Sequence, residues 1–394
     1  MSIFSFRDIV IDSRTGLNPR KNFKLGQGKN YYITIKDIHD GRIIITDKTD
    51  RIDDEAISKI KKRSRIKNGD ILFTSIGRIG ETAIVNDKND TWEVNESIFI
   101  FTINTDIIDT NYFCILLQSK SLKDRLSKDS SGSTFKSIKM NQLEKLTFDI
   151  PNLYKQKQIV VNIKIVSKVI NLCNTILNKL DTLVKSRFVE MFGDTEINSN
   201  DYPVYKLNDL CTVSSSKRIY QEEQSSSGVP FLRISNLVEL IDNNRVENEL
   251  FIPEEKYVEL CNNDLVPKAD DILITSRGTL GKCYIIQEKD KFYFQDGMIS
   301  WLYNLDKCII PLYISLLFDT RDIKRQIENL QSGSTVAYLS IAMLKKLNIV
   351  VPPLDLQMQF AAFVAQIDKS KLAVKQILKK AETLKKSLMQ EYFG

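Results

Sequence analysis

Asp70-Ile71-Leu72-Phe73-Thr74-Ser75-Ile76-Gly77-Arg78-Ile79-Gly80 returns 201 residues later as Asp271-Ile272-Leu273-Ile274-Thr275-Ser276-Arg277-Gly278-Thr279-Leu280-Gly281. In both places an apolar run of strand length ends in a glycine loop, the pattern of a buried strand followed by a tight turn. The register holds without a gap from Lys67 to Phe192-Gly193, more than 120 residues. It carries Ser131-Gly132-Ser133-Thr134 onto Ser332-Gly333-Ser334-Thr335 and Pro151 onto Pro352. Gln156 and Gln158 fall on Gln357 and Gln359, and Phe192-Gly193 on Phe393-Gly394. A two-fold repeat of this length exceeds the periods of solenoids, so each copy is expected to carry its own core.

Working outward, Tyr31-Tyr32-Ile33-Thr34-Ile35 and Ser97-Ile98-Phe99-Ile100-Phe101 read as further short strands. Asn111 to Lys128 and its counterpart Pro311 to Leu330 keep one apolar face each and read as helices. After Ile150-Pro151 the period changes. Ile159, Ile163, Val166, Ile170, Cys173, Leu177, Leu180 and Val184 follow at alternating steps of four and three, with Phe188 four further on, a heptad seam. Phe360, Val364, Ile367, Val374, Leu378, Ala381 and Leu388 repeat it, with Lys371 as an interruption. Helices over about 155 to 191 and 356 to 392 would each run roughly 50 to 55 Å. Each seam packs either on its own globular domain or on the other helix; the second is favoured, because such a helix outruns a domain of about 150 residues. The expected fold is α+β: two repeated mixed α/β domains, each followed by a long helix, the two helices pairing as an antiparallel coiled coil. The expected divisions are 1–152, 153–194, 195–353 and 354–394.

The 394 residues are 42% hydrophobic and 27% charged, an ordinary globular composition. No apolar run approaches the ~18 residues of a membrane span, and the start of the chain reaches charged residues, Arg7 and Asp8, within eight positions, so a cytoplasmic location is expected. Cys114, Cys173, Cys211, Cys261, Cys283 and Cys308 are not matched between the copies and are expected to be reduced packing residues. The single histidine, His39, cannot serve two copies, which argues against histidine-based metal or acid–base chemistry. The net charge is +6, and residues 1 to 200 hold 32 Lys and Arg against 25 Asp and Glu. The densest run, Lys59 to Lys67, reads either as a polyanion patch or as a solvated helix face.

Enzyme signatures fail on inspection. Val351-Pro352-Pro353-Leu354 lacks both the amide or acid and the aromatic of an amino-methyltransferase motif. Ser276 stands where a phosphate-binding loop needs its first glycine, and Cys283 where it needs Ser or Thr. Glycine loops and serine loops offer backbone and hydroxyl donors to phosphate, or are ordinary turns. Arg14-Thr15-Gly16-Leu17-Asn18-Pro19-Arg20-Lys21 stands where the second copy has Ser214-Ser215-Ser216-Lys217-Arg218. One framework with different polar loops would read two different things, and Arg, Asn, Lys and Ser can read base edges. The candidates for DNA in the first copy are Arg14, Asn18, Arg20, Lys21, Lys62, Arg63, Arg65, Ser75, Arg78, Ser133, Thr134 and Lys136. In the second they are Ser215, Lys217, Arg218, Arg233, Ser276, Arg277, Thr279, Ser334 and Thr335.

The ordered set of repeated motifs, from Gly69-Asp70-Ile71-Leu72 and Asp270-Asp271-Ile272-Leu273 through the Ser-Gly-Ser-Thr loops, Gln-x-Gln and the terminal Phe-Gly, resembles the specificity subunit of type I restriction-modification enzymes. The resemblance covers essentially the whole chain. It departs from the family pattern at Asp270, in place of glycine, and at Ile150-Pro151-Asn152, in place of a double proline. The resemblance implies a target-recognition domain in each copy, reading half of an asymmetric bipartite double-stranded DNA site across a gap set by the helices. It implies no catalysis on this chain. Two modification subunits would bring S-adenosylmethionine, and restriction subunits would join through them. Gln156, Gln158, Ile163, Ile170, Leu177, Gln357, Gln359, Val364, Val374 and Leu378 are then the candidates for helix pairing and subunit docking. A protein-binding scaffold and a fused methyltransferase or nuclease are the competing classes.

Overall fold

A computed structural model describes residues 2–39, 41–128, 137–243, 246, 250–331 and 337–394. The first repeat opens with β1 (Ser2–Ser5), the one-turn helix α1 (Phe6–Ile9) and β2 (Val10–Thr15). There follow β3 (Asn30–Ile33), the hairpin strands β4 (Ile38–His39) and β5 (Arg42–Ile43), β6 (Asp50–Ile52) and helix α2 (Asp54–Ser64). The conserved register then contributes β7 (Ile71–Thr74), β8 (Thr82–Ile84), β9 (Trp92–Val94) and β10 (Ile98–Ile103). Helices α3 (Thr110–Gln118), α4 (Lys120–Lys128) and α5 (Met140–Leu143), strand β11 (Thr147–Ile150) and the 40-residue helix α6 (Leu153–Phe192) complete it.

The second repeat runs β12 (Val204–Lys206), α7 (Leu207–Leu210), β13 (Thr212–Ser215), β14 (Val229–Leu232), α8 (Ile234–Asn243), β15 (Phe251–Ile252) and α9 (Glu254–Asn262). It continues with β16 (Ile272–Thr275), β17 (Cys283–Ile285), β18 (Tyr293–Phe294) and β19 (Ile299–Tyr303). Then come α10 (Pro311–Leu317), α11 (Arg321–Leu330), α12 (Ile341–Lys345), β20 (Asn348–Val350) and the 40-residue helix α13 (Leu354–Phe393).

Both repeats build the same sheets. The order β2-β10-β7-β8 is matched by β13-β19-β16-β17, and β6-β3-β9 by β15-β14-β18. The inner strand of each smaller sheet has one parallel neighbour, β9 for β3 and β18 for β14. The four-stranded sheet is buried on both faces, which explains its unbroken apolar runs. Ile71, Phe73 and Phe101 point to a core shared with α3 and α6, while Leu72, Ile98 and Ile100 meet Trp92, Val94 and Ile33 of the smaller sheet. The second repeat divides Ile272 and Ile274 from Leu273 and Trp301 in the same way.

The helices expected as single elements are split. Ser119 takes an extended backbone (ψ 149°), ending α3, and its hydroxyl accepts from Leu122 N. Thr320 (ψ 158°) accepts from Ile323 N and starts α11. A Ser or Thr cap satisfies free amides at a new helix start, so continuing the helix loses its advantage.

The chain forms two compact units, Met1–Thr175 with Val374–Gly394 and Ile176–Ala373. Their boundaries fall inside the long helices, so each unit holds the first half of its own repeat's helix and the last part of the other's. In the first unit Phe393 packs 5.2 Å from Tyr112, and Ser121 Oγ donates to its carbonyl. In the second, Phe188 and Phe192 surround Tyr313 and Phe360 at 4.9 to 5.7 Å. Lys371, the expected interruption, pairs with Asp181 at 2.7 Å. Since Asp181 meets Lys371 and Phe188 meets Phe360, numbering rises on one helix as it falls on the other: the helices pack antiparallel. Ile159, Ile163, Val166, Cys173, Val364, Ile367 and Ala381 are buried in the seam, with Ile170, Leu177, Val374 and Leu378 half-buried. By length and composition α6 also satisfies what a membrane span needs; one apolar stripe of it forms that seam, while Val161, Ile165, Leu172 and Val189 are exposed.

Candidate nucleic-acid interface

The glycine loops have one architecture. Thr74 Oγ1 donates to Arg78 O at 2.5 Å and accepts from Glu81 N at 3.1 Å, and Gly80 N reaches Thr74 O. Thr275 Oγ1 likewise donates to Thr279 O and accepts from Lys282 N at 3.0 Å. Gly77 and Gly80 have φ of +65° and +85°, a left-handed backbone that side chains resist. A Cβ on Gly77 would stand 2.9 Å from Ile35 Cδ1. Each loop is joined by the chain that leaves the Ser-Gly segment: Ile138 N donates to Ser75 O at 2.7 Å and Leu339 N to Ser276 O at 2.9 Å. The chain just after each Ser-Gly segment therefore meets the start of the glycine loop in both repeats. Ser133, Thr134, Lys136, Ser334 and Thr335 lie outside the described residues.

Several candidates prove to be internal. Arg14 is 6% exposed, and its guanidinium donates to Asp70 Oδ2 at 2.9 Å, Arg65 O at 2.7 Å and Thr102 Oγ1. Asp70 is buried and also accepts from Lys67 N, so Arg14 neutralises a carboxylate at the strand entrance and is not available to DNA. In the second repeat Ser214, opposite Trp301 as Arg14 is opposite Ile100, takes the place of Arg14, and the equivalent carboxylate, Asp271, accepts from Trp301 Nε1 at 2.9 Å and Lys268 N at 2.8 Å. Burial without a facing arginine pushes the Asp271 carboxyl above its usual range. Ser75 and Ser276 are buried as well, bonded to Ser97 O and Ser300 Oγ at 2.8 Å. Ser215 Oγ is tied to Ile299 O.

Gln156 and Gln357 are corrected from helix pairing to domain anchoring. Gln357 is fully buried; its amide accepts from Ile310 N at 3.0 Å and donates to Cys308 O and Pro352 O at 2.9 and 2.8 Å. Gln156 repeats this with Asp109 N, Ile107 O and Pro151 O. All three of each side chain's hydrogen bonds go to backbone of the same repeat. Gln158 and Gln359 are exposed.

What remains on the surface is more selective. The basic run lies on α2, whose buried face is Ala56, Ile60 and Ser64. Lys59 pairs with Glu55, Lys61 with Asp90 and Arg65 with Asp12, and Arg63 donates to Thr15 Oγ1, a largely self-compensated solvated face beside exposed Lys62. Arg20 and Lys21 are exposed and Asn18 is half-buried. Lys217 faces Glu259 at 3.7 Å, Arg218 pairs with Asp296 at 2.9 Å, and Arg233 and Thr279 are exposed. Arg78 bonds His39 Nδ1, Ile35 O and Ile38 O, whereas Arg277 lies over the Tyr338 ring at 5.2 Å.

One element escapes the sequence reasoning. Between β3 and β6 the first repeat inserts the β4–β5 hairpin; between β14 and β15 the second inserts α8. The available signals are Asp40-Gly41, a hairpin dipeptide, and the failure of the 201-residue register before Lys67.

A family model for the type I restriction modification DNA specificity domain matches residues 3–184 and again 199–384. A putative type I restriction enzyme specificity subunit of Haemophilus influenzae is 27% identical over 188 residues, 47% of this chain and 46% of that protein. The MjaIX specificity subunit of Methanocaldococcus jannaschii is 24% identical over 355 residues, 84% of this chain and 78% of that one. The chain thus spans about half the length of the first relative. The crystal structure of a type I restriction-modification S subunit from M. genitalium aligns over all of this chain and 96% of its own, with a TM-score of 0.59 at 15% identity. A chain solved in a study of complex assembly and conformational transition of the type I R-M system aligns with a TM-score of 0.61 at 15% identity, over all of this chain and 97% of its own. With the specificity domain matched twice along its length, over the two repeats that fold alike, the chain belongs to the type I restriction-modification DNA specificity family.

Proposed function

We propose that this chain reads an asymmetric, bipartite site on double-stranded DNA, one half-site per target-recognition domain, with the paired helices setting the unread gap. The observation that carries this is one framework built twice with a different surface element mounted on each copy. Identical readers would recognise a symmetric site; a hairpin in one and a helix in the other fit different base sequences. Exposed Arg20, Lys21, Lys62, Lys217 and Arg218 supply phosphate contacts that position each domain without reading sequence.

The chain has no catalysis of its own in this reading. It docks two modification subunits, which bind S-adenosylmethionine and methylate adenine, and restriction subunits join through them in the cytoplasm. The exposed residues of the long helices, Gln158 and Gln359 among them, are the docking surface. Co-expression with the cognate methyltransferase subunit in a methylation-free host, followed by genome-wide mapping of modified adenines, tests this. A two-part asymmetric motif is expected. A stable complex that modifies nothing would refute the recognition role.

A further inference from the structure

We infer that the inserted elements read the bases: the β4–β5 hairpin with Arg42, Ile44 and Ile45 in the first repeat, and α8 with Arg233 in the second. The inference rests on the proposed DNA reading and assigns it to particular residues. Both insertions occupy the same place in their domain. Gly41 bridges to Ala83 of β8, and α8 packs against β17, the strand equivalent to β8. Each is also tied to its glycine loop or the strand leaving it. Arg78 holds Ile35 O, Ile38 O and His39, and Lys282 holds Asp242 of α8 at 2.5 and 2.7 Å.

The shapes suit one receptor. A B-DNA major groove, about 12 Å wide, admits either a two-stranded ribbon or an α-helix. The chemistry agrees on the hairpin: Arg42 is exposed, and Ile44 and Ile45 are 44% and 38% exposed on the same short segment. Arginine pairs bidentately with guanine, and apolar side chains meet the thymine methyl. Neighbouring exposed isoleucines on a charged surface lack a structural purpose in the isolated domain.

The hairpin is rigidly mounted, as a reader must be. Asp37, at its base and 9% exposed, accepts from Thr34 N at 2.8 Å and Thr49 Oγ1 at 2.9 Å, and its carbonyl accepts from Ile44 N at 2.8 Å. These bonds close the segment from Thr34 to Thr49 on a single buried side chain. Arg42 is therefore presented from a fixed base.

The test uses the full chain with its methyltransferase subunit. Arg42→Ala and Arg233→Ala are each mapped by genome-wide adenine methylation, and binding to cognate and scrambled duplexes is measured at one salt concentration. Arg42→Ala is expected to relax one half-site and leave the other unchanged, with cognate affinity falling roughly 5- to 150-fold and scrambled-duplex affinity nearly constant. Arg233→Ala should do the same to the opposite half-site. An unchanged motif, or equal loss on both duplexes, would overturn base reading by these elements. Ile45→Thr, which keeps a β-branched side chain just beyond β5, guards against misfolding: it should change preference at a thymine position, and its failure to do so counts against the inference. A wild-type complex that yields no two-part motif would instead overturn the DNA reading beneath it.

Discussion

Replacing Gln357 with Ala should unlatch α13 from the domain it follows. The side chain is fully buried and makes three hydrogen bonds of 2.8 to 3.0 Å, one accepted from Ile310 N and two donated to Cys308 O and Pro352 O. A net hydrogen bond contributes about 1 kcal/mol, and leaving a buried backbone partner unsatisfied costs about 1 to 3 kcal/mol. Three lost partners therefore put the penalty at about 3 to 5 kcal/mol, allowing for water entering the gap. Denaturant unfolding measures the total, and hydrogen exchange locates it: the Ile310 amide should lose protection before the strands of β16 and β19 do. Gln156→Ala should produce the same loss in the other unit at Asp109, because its three bonds are the same. A loss below about 1 kcal/mol, or a selective loss of methyltransferase binding with stability intact, would refute the latch and return both glutamines to partner docking.

Two further outcomes follow from the buried carboxylates. Arg14→Ala should destabilise the first unit by about 3 to 5 kcal/mol, since it strands Asp70 as an uncompensated buried charge, while Arg14→Ala,Asp70→Asn together should recover much of that loss in a thermal melt. Asp271 makes stability depend on pH. Its carboxyl is raised by burial, so the folded state keeps a proton that the unfolded chain has released, and stability falls as pH rises from about pH 4 through the raised value. Asp271→Asn can still accept from Lys268 N and Trp301 Nε1, and should flatten that slope in urea midpoints compared between pH 4 and pH 7. An unchanged slope would show that Asp271 is not its source.

The pleated strands and the seam were legible because their signals are local. Ile71-Leu72-Phe73 is an unbroken apolar run of strand length, and Ile159 to Phe188 keeps helical steps of four and three; each side chain's direction then follows from its own backbone period. Ser119 and Thr320 sit inside a continuous apolar face, so periodicity alone does not reveal the helix breaks their caps make. The candidate site was less legible. Ser75, Arg78 and Ser276 look alike as polar residues at a loop, but Ser75 and Ser276 are buried and Arg78 is held by carbonyls of a segment about 40 residues away.

By itself, then, the sequence determined the two-fold repeat, the mixed α/β class of each copy and the pairing of two heptad helices, all consequences of periodicity. Only the tertiary structure decided that the compact units exchange helix halves, that Arg14 and the two buried glutamines face inward, and that a hairpin in one repeat takes the place of a helix in the other. The physical reason is the distance over which polar groups find partners. Arg14 meets Asp70 across 56 residues and Gln156 meets Asp109 across 47, and no local period records where such a side chain will be satisfied.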